Sequence, residues 1–152
     1  MLGAAPRGVK AIRLLTIVVC CTLVASGCFW HRYSGRMRVH TEVLVAVARK
    51  VRDLVATGRF TAETFPELTY PLERAQAFAS DAERHLADGQ AKPRSLVAFE
   101  DLVAAYRRYV ESVDEARRRP PDGDPAAGLA APLAAVEAGA KSVTAALAAD
   151  RS

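Results

Sequence analysis

The sequence predicts an all-α protein: an antiparallel up-down-up-down four-helix bundle after a cleaved N-terminal signal peptide. Three observations predict it. Apolar residues recur at helical spacing in four separate segments. Proline and glycine fall between those segments, where they stop one helix and admit the next. No segment alternates apolar and polar residues as a half-buried strand does. The length of 152 residues suits one domain.

The first 27 residues form an export segment in three parts. Arg7, Lys10 and Arg13 make it positive. Leu14 to Val24 is apolar apart from Thr16 and Thr22, and Ala25-Ser26-Gly27 supplies small residues before Cys28. Positive charge holds the start of the chain in the cytoplasm while the apolar run enters the bilayer. Small residues at its end fit the narrow subsites of a peptidase.

The stretch Leu23-Val24-Ala25-Ser26-Gly27-Cys28 resembles the lipobox of bacterial lipoproteins, with Ala25 where leucine is usual. The resemblance covers residues 1–28 alone. It implies diacylglycerol on the Cys28 thiol, cleavage before that residue, and a membrane partner held through acyl chains. Several chains anchor stably where one is marginal. Two other readings stay open. Ordinary signal peptidase, acting after Gly27, would release a soluble protein with a free thiol. An uncleaved anchor needs the uncharged run from Leu14 to Trp30, whose 17 residues are at the short limit for a spanning helix. Cys20 and Cys21 lie inside the export segment, so Cys28 is the only cysteine of the mature chain, and lipidation accounts for the odd one.

Residues 28–35 read as a short juxtamembrane tether. Phe29, Trp30 and Tyr33 are expected at the membrane interface, where aromatic rings prefer to sit. Extended residues cover at most about 3.6 Å each, so this tether reaches about 25 Å or less. The bundle proper is placed at 36–150.

The first helix is expected at about 36–57. Its stripe is Met37, His40, Leu44, Val47, Val51 and Leu54, with Ser34 able to cap the start and Gly58 the end. A connection from Thr61 to Leu68 follows, with room for one helical turn. Pro71 suits a first helical position, so the second helix is expected at 71–88, ended by Gly89. Its stripe is Leu72, Ala75, Ala79, Ala82 and Leu86, with Phe78 beside them. The third is expected at 95–119, capped by Ser95, with Leu96, Phe99, Val103, Tyr106, Val110 and Val113 inward. Arg117, Arg118 and Arg119 fall in its last turn, where cations suit the helix dipole. The fourth is expected at 125–149, with Asp124 as cap and Pro125 first; Pro132 marks either a kink or the true start. Its stripe is Leu129, Leu133, Val136, Ala140, Val143 and Leu147.

The net charge of +4 counts three cations of the export segment. From Cys28 onward 18 Lys and Arg face 17 Asp and Glu, a side-chain sum of +1. That near balance argues neither for nucleic acid nor for an acidic partner, and no nucleic-acid partner is expected. Covalent haem needs Cys-x-x-Cys-His, which is absent; axial ligation offers only Met37, His40 and His85. A di-iron bundle needs Glu-x-x-His pairs, but Met37 and Ala82 stand three before His40 and His85. Asp122-Gly123-Asp124 lacks the distal glutamate of a calcium loop and reads as a turn and cap. Neither a nucleophile elbow nor a phosphate loop occurs. Glu63 and Glu67 read as a solvated face. The basic stretch from Arg107 to Arg119 reads as a salt-bridged surface among Glu111, Asp114 and Glu115. Tyr106 and Tyr109 read as core and rim.

The expectation is therefore an envelope lipoprotein on the extracytoplasmic face, without catalytic, metal or cofactor sites. It serves as a binding or structural accessory, with an envelope protein as the partner class. Phe29 is not the aspartate that often follows the cysteine of inner-membrane lipoproteins, which points to the outer membrane if the cell has two. A small-ligand or cofactor-binding bundle is the alternative.

Overall fold

A computed structural model describes residues 33–86, 89–118, 124 and 126–150. Four α-helices and one short 3-10 turn account for their regular structure, and no strand occurs among them. This is compatible with a four-helix bundle. Cys28, Phe29 and Trp30, with the whole export segment, lie outside the described residues.

Helix α1 occupies residues 33–56. It is already helical at 33–35, so Ser34 sits within it and is not its cap. Tyr33 and Ser34 are buried at its start, and from Met37 on the buried residues are Met37, Thr41, Leu44, Ala48, Val51 and Val55, which step by four and three. The stripe is thus turned from the expected one: Thr41 and Ala48 are buried, and His40, Val47 and Leu54 are only half-buried. Bulk alone picks His40 and Val47. Close packing prefers the small Ala48 and a threonine whose hydroxyl is satisfied, Thr41 Oγ1 donating to the Met37 carbonyl at 2.9 Å. Gly58 ends the helix as expected. Its φ is +65°, its N–H reaches the Val55 carbonyl at 3.0 Å, and the Arg59 N–H reaches Leu54 at 2.8 Å. That pair of bonds is a Schellman motif, and it needs the left-handed residue.

Helix α2, Phe65–Arg84, starts earlier than expected and ends earlier. Pro66 takes the place in the first turn foreseen for Pro71, while Pro71 lies inside the helix. An interior proline removes one backbone bond and crowds the preceding turn. The helix continues because Leu68 and Leu72, on either side, are both buried. The Leu68 carbonyl, three residues before Pro71, also accepts the Tyr106 hydroxyl at 3.0 Å. Gly89, φ +79°, lies beyond the end of α2 at Arg84.

Helix α3, Arg94–Arg118, buries more than one stripe: Leu102, Ala105 and Tyr109 join the expected set. Ser95 does not cap it. The Pro93 carbonyl accepts from Leu96 and Val97, so the helix begins ahead of Ser95. The Ser95 N–H instead donates to Asp150 Oδ2 at 3.0 Å.

The last element opens with Asp124, whose Oδ1 accepts the Ala126 N–H at 2.9 Å. A 3-10 turn, Ala127–Leu129, leads into α4, Ala130–Ala149, with Pro132 in its first turn. Asp124 therefore closes a turn ahead of both elements and caps neither: the 3-10 turn begins after Ala126 and α4 after Leu129, near Pro132, each without a side-chain cap. Helices α3 and α4 share the most extensive interface among the pairs formed by α2, α3 and α4. A Cβ added at Gly139 would lie 3.2 Å from Leu102 Cα, so the two backbones nearly touch there.

Residues 34–152 form one compact unit. Its largest fully buried side chains include Tyr106, Tyr109, Phe99, Met37, Leu44 and Leu96. Tyr109 Oη donates to the Ala48 carbonyl at 2.7 Å, as Tyr106 Oη does to Leu68. Both tyrosines belong to the core, and each phenol finds the partner that burial demands.

Candidate functional site

Among the described residues, side chains from more than one helix shape the following two surface features. The first is a groove of about 730 Å³ between α1 and α4. Its floor is small and apolar, with Val45, Ala46, Ala140, Ala145 and Ala148, and Thr41 and Thr144 contribute hydroxyls. Arg49 and Glu137 bridge it at 2.7 Å. The alanine bias of α4 makes the groove, because short side chains leave space beside α1.

The second is an indentation of about 320 Å³ between α1 and α2. Arg36 and His40, one turn apart, come from α1. Arg74, Ala77, Phe78, Asp81 and Arg84 come from α2. His40 packs on Phe78, with ring centroids 4.9 Å apart, and meets Phe99 of α3 at 6.4 Å. Burial lowers the His40 pKa, and the charges of Arg36 and Arg74 lower it further. Neutral imidazole is therefore its resting form near pH 7. Arg36 lies over the Phe78 ring at 5.5 Å and Arg74 over Tyr70 at 5.9 Å. Among the described residues, neither guanidinium has a carboxylate within ion-pairing distance. Asp81 lies 3.6 Å from Arg84 and 3.7 Å from His85 Nδ1.

Elsewhere several cations are matched by carboxylates. Lys50 meets Glu67 at 2.6 Å, so Glu67 belongs to a charged surface pair. Lys92 lies between Glu83 and Glu100, which raise its pKa. Asp114 holds Arg117 at 2.9 Å and Arg118 at 2.6 Å. The hydrogen bond from Arg117, with Arg118 nearby, keeps the Asp114 carboxyl below its ordinary range. Arg117 also covers Phe65 at 5.4 Å. The distal half of the basic stretch is thus a paired surface.

Of the residues considered for haem, Met37 is fully buried, His40 belongs to the indentation, and His85 is exposed with Nδ1 2.8 Å from the Asp81 carbonyl. No cluster of His, Cys, Asp and Glu among the described residues could hold a metal ion. None of the described helices is long and apolar enough to cross a membrane, and the run at 14–30 is not among them. Cys28, Phe29 and Trp30 are likewise outside them. Tyr33, grouped with these aromatics from sequence, opens α1 with its side chain buried.

Sequence reasoning weighed His40 as an axial ligand and Arg36 as a basic residue beside the membrane, and missed that Arg36, Arg74 and Arg84 converge on His40. The usable signal was the spacing: Arg36 and His40 four apart on one helix, and Arg74, Phe78 and Asp81 on one face of the next. No protein-family model matches this chain, and neither does any curated protein or solved structure.

Proposed function

We propose that this chain is the precursor of a lipid-anchored envelope lipoprotein. Its helical domain acts outside the cytoplasmic membrane as a binding or structural accessory. One observation carries the reading: a positive segment, an apolar run and small residues lead directly to Cys28. Residues 1–27 are the signal peptide, Cys28 carries the acyl chains, and Phe29 and Trp30 lie at the membrane interface. The burial of Tyr33 favours packing for that ring. An up-down-up-down, antiparallel order of the helices is supported by their contact pairs. His40 meets Phe78 and Lys50 meets Glu67 between α1 and α2. Phe78 meets Phe99 and Leu68 meets Tyr106 between α2 and α3. Ser95 meets Asp150 and Leu102 meets Gly139 between α3 and α4.

The test is Cys28→Ser, compared with the parent by membrane fractionation and by mass spectrometry of the N-terminus. The expected parent begins at Cys28 with acyl mass added and stays in membranes; the variant keeps its precursor length. A parent that starts at Cys28 without added mass is a secreted protein. One that retains residues 1–27 is held by an uncleaved anchor. Either result sinks the lipoprotein reading.

The α1–α4 groove favours a second reading, a small-ligand-binding bundle. At about 730 Å³ it falls within the range of ligand sites, about 300–1,000 Å³. A stoichiometric small molecule in protein purified from its native host would promote that reading.

A further inference from the structure

We propose that the indentation formed by Arg36, His40, Arg74 and Arg84 binds the phosphate of an anionic phospholipid headgroup. The inference rests on the lipoprotein reading for the source of the phosphate, and on charge and shape for its chemistry. Three guanidiniums and an imidazole border the indentation, against the single carboxylate of Asp81. Arg36 and Arg74 differ from the other described arginines without an ion pair, such as Arg38 and Arg94, in bordering one indentation together. Each of the two is laid against an aromatic ring. A cation held near a ring face is restrained, and its remaining N–H donors can meet phosphate oxygens. The volume of about 320 Å³ admits a headgroup rather than an acyl chain with it.

Placement supplies the source. Arg36 is three residues into α1, and Cys28 precedes it by eight. Eight residues reach at most about 29 Å, so an acylated Cys28 keeps this end of the domain beside the headgroup layer. The anions most concentrated there are lipid phosphates.

The groups facing His40 also give the site a readout. They are Arg36 on its own helix, Arg74, Phe78, Asp81 and Arg84 on α2, and the Phe99 ring on α3. Burial, and then the charges of Arg36 and Arg74, disfavour the imidazolium. A bound phosphate reverses the local sign, so binding is coupled to protonation of His40 and strengthens as pH falls.

The experiment follows the His40 ring by NMR through a pH titration of the full chain. It uses both the parent and Cys28→Ser, with His40→Gln to assign the signal. Three media are compared: phosphatidylcholine bicelles, the same bicelles with phosphatidylglycerol, and the first with inorganic phosphate added. The expected result is a His40 pKa higher by about one unit, a tenfold gain in proton affinity, with phosphatidylglycerol. That rise should be present in Cys28→Ser and lost in Arg36→Ala/Arg74→Ala. An unchanged pKa, or a rise that survives loss of both arginines, overturns the proposal. So does a rise with inorganic phosphate that phosphatidylglycerol fails to produce, which would mark a soluble-anion site. The mass of Cys28 is measured separately. A non-acylated parent whose His40 still responds to phosphatidylglycerol removes the lipoprotein reading and leaves the headgroup site standing.

Discussion

Asp150, at the end of α4, places its Oδ2 3.0 Å from the backbone N–H of Ser95, the second residue of α3. The first turn of a helix has N–H groups without intrahelical partners, and a side-chain oxygen one residue upstream normally meets one. Pro93 precedes α3 and has no such oxygen. A carboxylate 55 residues away in sequence does that work, with a favourable charge for the helix dipole.

Removing that carboxylate therefore weakens the fold. Asp150→Ala is expected to cost about 1 kcal/mol, the usual scale for a lost cap. Ser95→Ala separates this arrangement from a conventional cap. Among the described residues the buried Ser95 hydroxyl has no hydrogen-bond partner, so its removal relieves a desolvated polar group. We expect Ser95→Ala to be neutral or stabilising by about 1 kcal/mol. Urea unfolding followed by circular dichroism gives both values; a loss for Ser95→Ala comparable to that for Asp150→Ala would restore Ser95 as the cap.

Gly139 is the second point of dependence. A helix interior ordinarily gains about 1 kcal/mol from Gly→Ala. Here the new methyl would sit 3.2 Å from a backbone atom, Leu102 Cα, which cannot turn aside. Gly139→Ala should be destabilising on balance, and Gly139→Val should lower stability by about 2 kcal/mol or more. A stabilised Gly139→Ala variant in the same unfolding assay would show that α3 and α4 separate easily.

Burial pushes the Tyr106 and Tyr109 phenols well above the ordinary tyrosine range. Above pH 10 the unfolded chain releases these protons while the folded chain holds them. Stability is therefore complete below the unfolded pKa of about 10 and falls as pH rises past it. Phenolate absorbance from these two residues should appear only with loss of helical signal. Tyr106→Phe/Tyr109→Phe should flatten the alkaline slope while lowering stability at neutral pH by about 2 kcal/mol, about 1 for each bond lost. Two phenolates titrating in fully helical protein would contradict the burial.

His40 acts at the other end of the pH scale. Its folded pKa lies below the ordinary histidine value of 6.5, through burial first and then Arg36 and Arg74. As pH falls below that unfolded value, the unfolded chain takes a proton that the folded chain refuses. Stability should drop through the window below pH 6.5. His40→Gln should remove that part of the acid slope. Parallel slopes for parent and variant between pH 7 and 5 (the range set by histidine titration) would count against it.

The four helices were legible because most of their inward residues are large and apolar. The stripe of α3, from Leu96 to Val113, is buried in full. Local rules erred where a tertiary contact decided the outcome. Pro71 is a good first residue by propensity, yet α2 runs through it because Leu68 and Leu72 are both buried. Ala48 carries little hydrophobic weight in a periodicity count, yet it is buried where the Tyr109 hydroxyl approaches its carbonyl. The cap from Asp150 had no local signature at all. The arginines of the His40 indentation were visible only as surface charge, since their convergence depends on how α1 meets α2.

The two tyrosine hydroxyls end on main-chain oxygens, those of Ala48 and Leu68. A bond to a carbonyl does not depend on the identity of the residue that carries it. The positions opposite can therefore drift through other residues of similar size without breaking either contact, whereas phenylalanine at 106 or 109 loses one outright. Divergence should erase the likeness of α1 and α2 first. A tyrosine pair three residues apart on the third helix is then the expected signature of a remote homologue, more durable than the overall identity of the two sequences.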